Sequence, residues 1–241
     1  MTDSLRLSKY LAERFSCSRR EAENYISGGW VSVDGRVVEE PGHRVRQDQH
    51  IELAEGATCD DPEPVTILLH KPSGHTAGEG DPSAIHLISP SNQAASDRSG
   101  RHLVKRDLTA LELVTPLPAA ASGLIVLTQE YAIARKLVKD AARTEQEYVV
   151  DVEGNIAEGG LKRLCGGLSW RGTKLPGIKA SWQNETRLRF AMKYAPDGLI
   201  QDMCAQVGLR VTGVKRIRIG RLSMSDLPLG QWRFLLGYER F

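Results

Sequence analysis

Residues 18–37, S-R-R-E-A-E-N-Y-I-S-G-G-W-V-S-V-D-G-R-V, leave the backbone few choices. Ser18 and Glu21 have the spacing of a capping box, in which each side chain satisfies a backbone N–H that the first helical turn leaves open. Ala22, Tyr25 and Ile26 give that helix an apolar face, and Gly28-Gly29 ends it. Strand-like W-V-S-V and R-V-V follow, joined by Asp34-Gly35, a pair suited to the positive φ angles of a tight hairpin turn. Upstream, Leu7, Tyr10, Leu11 and Phe15 lie near helical spacing. Two short helices and a hairpin, too small for much else, form a first module over residues 1–53.

Composition changes at residue 54. A-E-G-A-T-C-D-D-P-E-P, residues 54–64, is small, acidic and proline-bearing, and reads as a linker that lets the flanking parts move. A larger domain follows over residues 65–241. V-T-I-L-L-H-K-P-S-G is a buried strand ending in a turn, and residues 75–102 form a long loop. S-G-L-I-V-L-T is a short strand, Y-A-I-A-R-K-L-V a helix, and E-Q-E-Y-V-V-D-V-E-G a strand. Further strands surround Trp170 and Trp182. Ile200, Met203, Cys204 and Val207 make residues 198–207 helical. Strands with interspersed helices, without a regular βαβ repeat, predict an α+β fold.

Hydrophobic residues make up 41% of the 241, enough for an ordinary core. No apolar run is long enough to span a membrane. Cys17, Cys59, Cys165 and Cys204 are scattered and form no C-x-x-C pair, so no metal site is expected and reduced, cytoplasmic thiols are the plain reading. The net charge of +2 does not by itself call for a polyanionic partner, so any such surface must come from local clustering. Two clusters stand out. The first module offers Arg6, Lys9, Arg19, Arg20 and Arg36. Residues 208–233 contain Arg210, Lys215, Arg216, Arg218, Arg221 and Arg233 against the single acid Asp226. On a strand, Arg216 and Arg218 point the same way, opposite Ile217 and Ile219, and make a basic stripe. An edge strand guarded by charge against aggregation has the same pattern.

The first module resembles the alpha-L RNA-binding domain of ribosome-associated proteins over about residues 4–50. The rest of the chain resembles bacterial RNA pseudouridine synthases of the RsuA/RluF type. I-L-L-H-K-P-S-G matches the opening of their catalytic domain, V-T-P-L-P-A-A-A-S-G-L-I-V-L-T at 114–128 matches their active-site segment, and L-P-L-G-Q-W-R-F-L matches their closing strand. The resemblance implies a mixed, mainly antiparallel sheet flanked by helices. It also implies a cofactor-free and metal-free reaction, in which one aspartate attacks the ribose or acts as its base, an arginine pairs with that aspartate, and a tyrosine stacks on the flipped uracil.

The residues that carry this chemistry depart from the family pattern. The aspartate falls on Pro118 and its neighbouring arginine on Pro116, while the paired arginine falls on Gln201. Tyr148 matches the tyrosine, and the family lysine two residues before it is Gln146. Without the carboxylate, a partly buried arginine at 201 would be an unpaired charge, so the joint loss is physically coherent. Asp107, Glu112, Glu130 and Asp202 are candidate replacement acids, with Asp202 favoured because it sits where an arginine belongs. The expectation is a monomeric RNA-binding protein, acting on structured RNA such as ribosomal RNA or ribosomal particles, whose isomerase activity has been lost. Lys215, Arg216 and Arg218 join the five basic residues of the first module as RNA contacts. An active isomerase with a relocated acid and a protein-interaction scaffold are the rival readings.

Overall fold

The computed structural model describes residues 4–193 and 195–241 and divides into two compact units. The first holds residues up to 64 together with 102–111. Its elements are β1 (Leu5–Arg6), α1 (Leu7–Arg14), α2 (Arg19–Ser27), β2 (Val31–Val33), β3 (Arg36–Val37), β4 (Arg44–Val45), β5 (Ile51–Leu53) and the one-turn helix α3 (Lys105–Leu108). The capping box forms as read: Ser18 N donates to Glu21 Oε2 (2.6 Å) and Glu21 N to Ser18 Oγ (3.2 Å). These bonds hold the Glu21 carboxyl below its ordinary range. Asp34 and Gly35 take φ 51° and 77°, the positive pair that a tight hairpin needs. Leu7, Leu11, Ala22, Ile26, Val31, Val33, Val45 and Ile51 pack into one buried core.

Two features of this unit differ from the sequence reading. Segment 102–111, assigned there to the larger domain, clusters with the first unit, where Lys105 pairs with Glu40 (2.9 Å). The acidic stretch 54–64 is tethered to α2 rather than free. Arg20 makes a two-point pair with Asp61 (3.2 and 2.7 Å), and Asn24 Nδ2 donates to Cys59 O and Asp61 Oδ1. Composition describes a solvated linker well, but it does not show that Asp61 has a cation and an amide to meet.

The second unit is built on a nine-stranded sheet. Its strands are β6 (Thr66–Lys71), β7 (Glu112–Leu113), β8 (Ser122–Thr128), β9 (Glu145–Glu153), β12 (Lys179–Asn184), β13 (Arg187–Lys193), β14 (Arg210–Ile219), β15 (Leu222–Ser223) and β16 (Trp232–Phe234). Between them lie the separate hairpin β10 (Ser169–Trp170) and β11 (Thr173–Lys174), and the helices α4 (Tyr131–Lys139), α5 (Gly160–Cys165) and α6 (Leu199–Ala205). The main path runs β12-β13-β9-β14-β8-β6-β16, with β7 on β8 and β15 on β14. The named pairings are antiparallel except β14 with β8, so the sheet is mixed and mainly antiparallel, as the resemblance implied.

Leu68, Leu124, Val126, Ile219 and Leu222 from the strands meet Ala134 and Leu137 of α4 in the main core. The long loop 75–102 is anchored rather than loose. Trp232 Nε1 donates to Ser89 O, Ala94 N to Trp232 O, and Phe234 N to the Asp97 carboxylate.

Candidate nucleic-acid interface and pocket

The central strands β9, β14 and β8 bring the family-matched positions together. Segment 114–121 runs into β8, and Gly123 of β8 stands opposite Arg216 of β14, which in turn stands opposite Tyr148 of β9. Above them is a small cavity of about 170 Å³. Its lining includes Pro116, Pro118, Gln146, Tyr148, Gln201 and Arg216. The five positions that the resemblance matched to the synthase site, together with Arg216, thus share one pocket. An apolar cavity of about 150 Å³ admits benzene, so this space is on the scale of a single ring.

The chemistry at its floor is unusual. Arg216 is 4% exposed, and every one of its guanidinium N–H groups points at a neutral oxygen. Nε donates to Leu124 O (2.9 Å), Nη2 to Leu124 O (2.8 Å) and Thr115 O (2.5 Å), and Nη1 to Gln146 Oε1 (3.2 Å) and Pro116 O (3.5 Å). Tyr148 Oη donates to the same Gln146 oxygen (2.7 Å). Burial pulls the Arg216 pKa down, and the neighbouring Tyr148 opposes that pull. Burial raises the Tyr148 phenol against the opposing effect of Arg216. Gln146, standing where the family has lysine, accepts two hydrogen bonds on one oxygen. A lysine has no acceptor and could not do so.

Among the lining residues the single carboxylate is Asp197, which is exposed. Asp107, Glu112, Glu130 and Asp202 do not line the cavity. Asp202 is exposed on α6 and accepts from Gln206 Nε2 (2.7 Å), Glu130 accepts from Thr66 Oγ1, and Asp107 belongs to the first unit. The sequence pointed to Asp202 by alignment, yet on a helix the residue one step past Gln201 turns away from the wall that Gln201 lines. Asp197 precedes the helix and had no pattern to mark it.

The loop that carries Pro118 is pinned from below. Lys71 is fully buried, and its Nζ donates to Pro72 O (2.9 Å), His75 O (2.7 Å) and Ala119 O (3.3 Å). Gly74 N donates to Ala119 O and Ser73 Oγ to Ala120 O. Burial lowers the Lys71 pKa to about 8.

The expected basic stripe on β14 is corrected by the structure. The register between β14 and β9 slips between Arg216 and Arg218, so the two do not share a solvent face. Arg216 turns inward. Arg218 pairs with Glu145 (2.6 Å) and Glu147 (2.9 Å), and Arg189 also pairs with Glu147. Burial acts to raise the Glu147 carboxyl, and the two guanidiniums outweigh it and hold it low. Lys215 is half-buried, and Arg36 lies exposed on β3.

The first unit keeps a basic surface. Arg6, Lys9 and Arg19 line one groove with Arg44 and the acid Glu13. The β1–β4 pairing sets Arg6 directly beside Arg44, a contact that no local spacing could reveal. Lys9–Glu13 (3.8 Å) and Arg19–Glu23 (3.0 Å) are exposed i,i+4 pairs, worth about 0.3–0.5 kcal/mol each, so a phosphate can displace them cheaply. Arg20 is instead held by Asp61.

The larger unit has a pseudouridine synthase fold, and the smaller unit before it matches a separate small domain. Residues 5–51 match the S4 domain. The chain is 29% identical to the dual-specificity RNA pseudouridine synthase RluF of Escherichia coli, covering 98% of this chain and 77% of that protein. It is 28% identical to an uncharacterized RNA pseudouridine synthase of Aquifex aeolicus (98% and 94%) and 26% identical to ribosomal small subunit pseudouridine synthase A of Pseudomonas aeruginosa (98% and 98%). A crystal structure of a pseudouridylate synthase shares the fold, with a TM-score of 0.60 at 21% identity over 96% of both chains. The chain is a homologue of the RluF/RsuA-type RNA pseudouridine synthases and carries an S4 domain at its N-terminus.

Proposed function

We propose that this chain binds RNA, ribosomal RNA or an assembling ribosomal particle, and no longer isomerises uridine. The observation that carries the reading is the pocket itself. Prolines stand at 116 and 118, an amide stands at 201, and the buried cation Arg216 is satisfied wholly by neutral oxygens. Isomerisation needs a group that can attack the ribose or take its proton within hydrogen-bond reach. Proline and glutamine do neither at neutral pH. Tyr148 remains in the pocket wall, so a flipped base can still be received. Flipping costs a few kcal/mol, which phosphate contacts from the Arg6, Lys9, Arg19 and Arg44 groove can offset. The relatives named as RNA and ribosomal-subunit synthases support RNA as the partner. We infer a cytoplasmic monomer, and the four scattered cysteines support the compartment part of that reading.

Tritium release from C5-labelled uridine in unmodified ribosomal RNA tests the loss of chemistry, and salt-dependent binding of the same RNA tests the retained function. A second reading, an active isomerase with a relocated acid, has one observation in its favour: Asp197 brings a carboxylate to the pocket. Turnover abolished by Asp197→Asn would establish it.

A further inference from the structure

A run of unneutralised charge lies outside both surfaces described so far. Residues 159–184 contain Lys162, Arg163, Arg171, Lys174 and Lys179 and no acid, in a chain whose net charge is only +2. All five are exposed, and among the described residues none is in an ion pair, in contrast to Arg19, Arg20, Arg189 and Arg218. They sit on one substructure. α5 carries Lys162 and Arg163 and packs against β12, which begins at Lys179: Ile178 N donates to Cys165 O (2.9 Å) and Cys165 Sγ to Ala180 O (3.5 Å). The β10–β11 hairpin is extended by one rung, Leu175 N to Leu168 O (3.0 Å), and is tied to the C-terminal end of α6 by Gln206 Nε2 to Ser169 O (2.9 Å).

The hairpin tip is built in a costly way. Arg171 and Gly172 take φ 50° and 77°, the same turn that Asp34-Gly35 makes with a default pair. A positive φ costs a long side chain about 1 kcal/mol relative to glycine or asparagine. What the arginine gains is position. Its guanidinium lies 4.3 Å from the centroid of the half-buried Trp170 ring. The half-buried indole and the guanidinium on it are both flat surfaces on which a base can stack, and the four other cations of the same substructure can neutralise the backbone that carries it. Charge protection of a sheet edge accounts for Lys179 on β12 but not for a helix and a separate hairpin.

We propose that the Trp170-Arg171 hairpin and the basic residues of α5, β11 and β12 form a second RNA site, one that takes single-stranded RNA by stacking a base on Trp170. The site rests on the RNA-binding reading above and gives it a contact in the larger domain that β14 does not supply. An acidic protein surface would use the cations but would have no need of the indole.

The test is binding of the full chain to fluorescein-labelled oligo(U) and to ribosomal RNA across a KCl titration. Trp170→Ala should weaken oligo(U) binding about five- to a hundredfold, the range measured for loss of one stacked base. Trp170→Phe should restore most of it. Arg171→Asn keeps a residue the turn accepts, so its weakening reports the contact rather than misfolding. Serine at Lys162, Arg163, Lys174 and Lys179 together should lower the salt slope by about 0.7 per lost phosphate contact. If Trp170→Ala and the quadruple variant bind as the parent does, while serine at Arg6, Lys9, Arg19 and Arg44 abolishes binding, the second site is wrong and the RNA-binding reading stands. If the quadruple variant weakens binding and Trp170→Ala does not, stacking is wrong and the patch is a general polyanion surface. A parent chain that binds neither RNA sinks this proposal and the reading beneath it together.

Discussion

Gly123 and Arg216 face each other in the parallel pairing of β8 with β14, and the missing Cβ of the first is what lets the second come so close. Gly123 holds φ 116°, and a Cβ built there would collide with the Arg216 backbone, which cannot swing aside. The approach also brings the Arg216 guanidinium within reach of the next carbonyl on β8, Leu124 O. Gly123→Ala should therefore cost about 3 kcal/mol or more, combining backbone strain with a displaced buried cation. Urea unfolding checks this, and an unchanged midpoint would contradict it.

Arg216 itself divides a structural role from an RNA-contacting one. Arg216→Met should destabilise the fold by about 1–3 kcal/mol, because the Thr115 and Leu124 oxygens lose the guanidinium donors and Gln146 is left with Tyr148 alone. The salt slope of RNA binding should stay where it is, since the lost charge never faced a phosphate. A slope lowered by a full ion would return Arg216 to the RNA surface.

Lys71 gives a pH signature. Folded, it holds its proton more weakly than the ordinary lysine does, with a pKa near 8. Between about pH 8 and the usual lysine range, the unfolded chain binds the extra proton, so this group adds stability as pH rises through that window and weakens the fold below it. The difference in unfolding free energy between the parent and Lys71→Met should therefore grow from pH 7 to pH 10. A pH-independent difference would mean that Lys71 does not titrate there.

The groove of the first unit predicts a graded electrostatic effect. Serine at Arg6, Lys9, Arg19 and Arg44 should weaken binding of structured RNA and lower the salt slope by about 0.9 per contact on double-stranded segments. Arg36→Ser, outside the groove, should change the slope little.

What could be read from the chain divides along physical lines. Local devices were fully legible: the Ser18–Glu21 box, the Asp34-Gly35 turn, and the apolar spacing of α6 each follow from a few neighbouring residues. The pocket was legible as a set, because segment 114–121, Tyr148 and Gln201 each sit in a recognisable segment. Long-range facts were not. The slip that turns Arg216 inward depends on how β14 registers with β9, and the Arg6–Arg44 pair joins residues far apart in sequence. Asp61 reads as a linker acid until Arg20 is found beside it. The acid-free run 159–184 could have been counted from the sequence, but its separate residues gain meaning from the helix, hairpin and strand that gather them.

The central claim is that the pocket has kept its shape and lost its chemistry. Its most direct test is tritium release from C5-labelled uridine in unmodified ribosomal RNA, with the parent chain and with a graded restoration. The parent should release none above background while binding the RNA. Pro118→Asp alone should do little, since the new carboxylate lacks its cation and Pro116 still restrains the backbone beside it. Adding Pro116→Arg and Gln201→Arg should give more than the sum of the steps, because an ion-paired site is non-additive. Clear release by the parent chain, lost on Asp197→Asn or Asp202→Asn, would contradict the claim and identify a working isomerase with its acid moved.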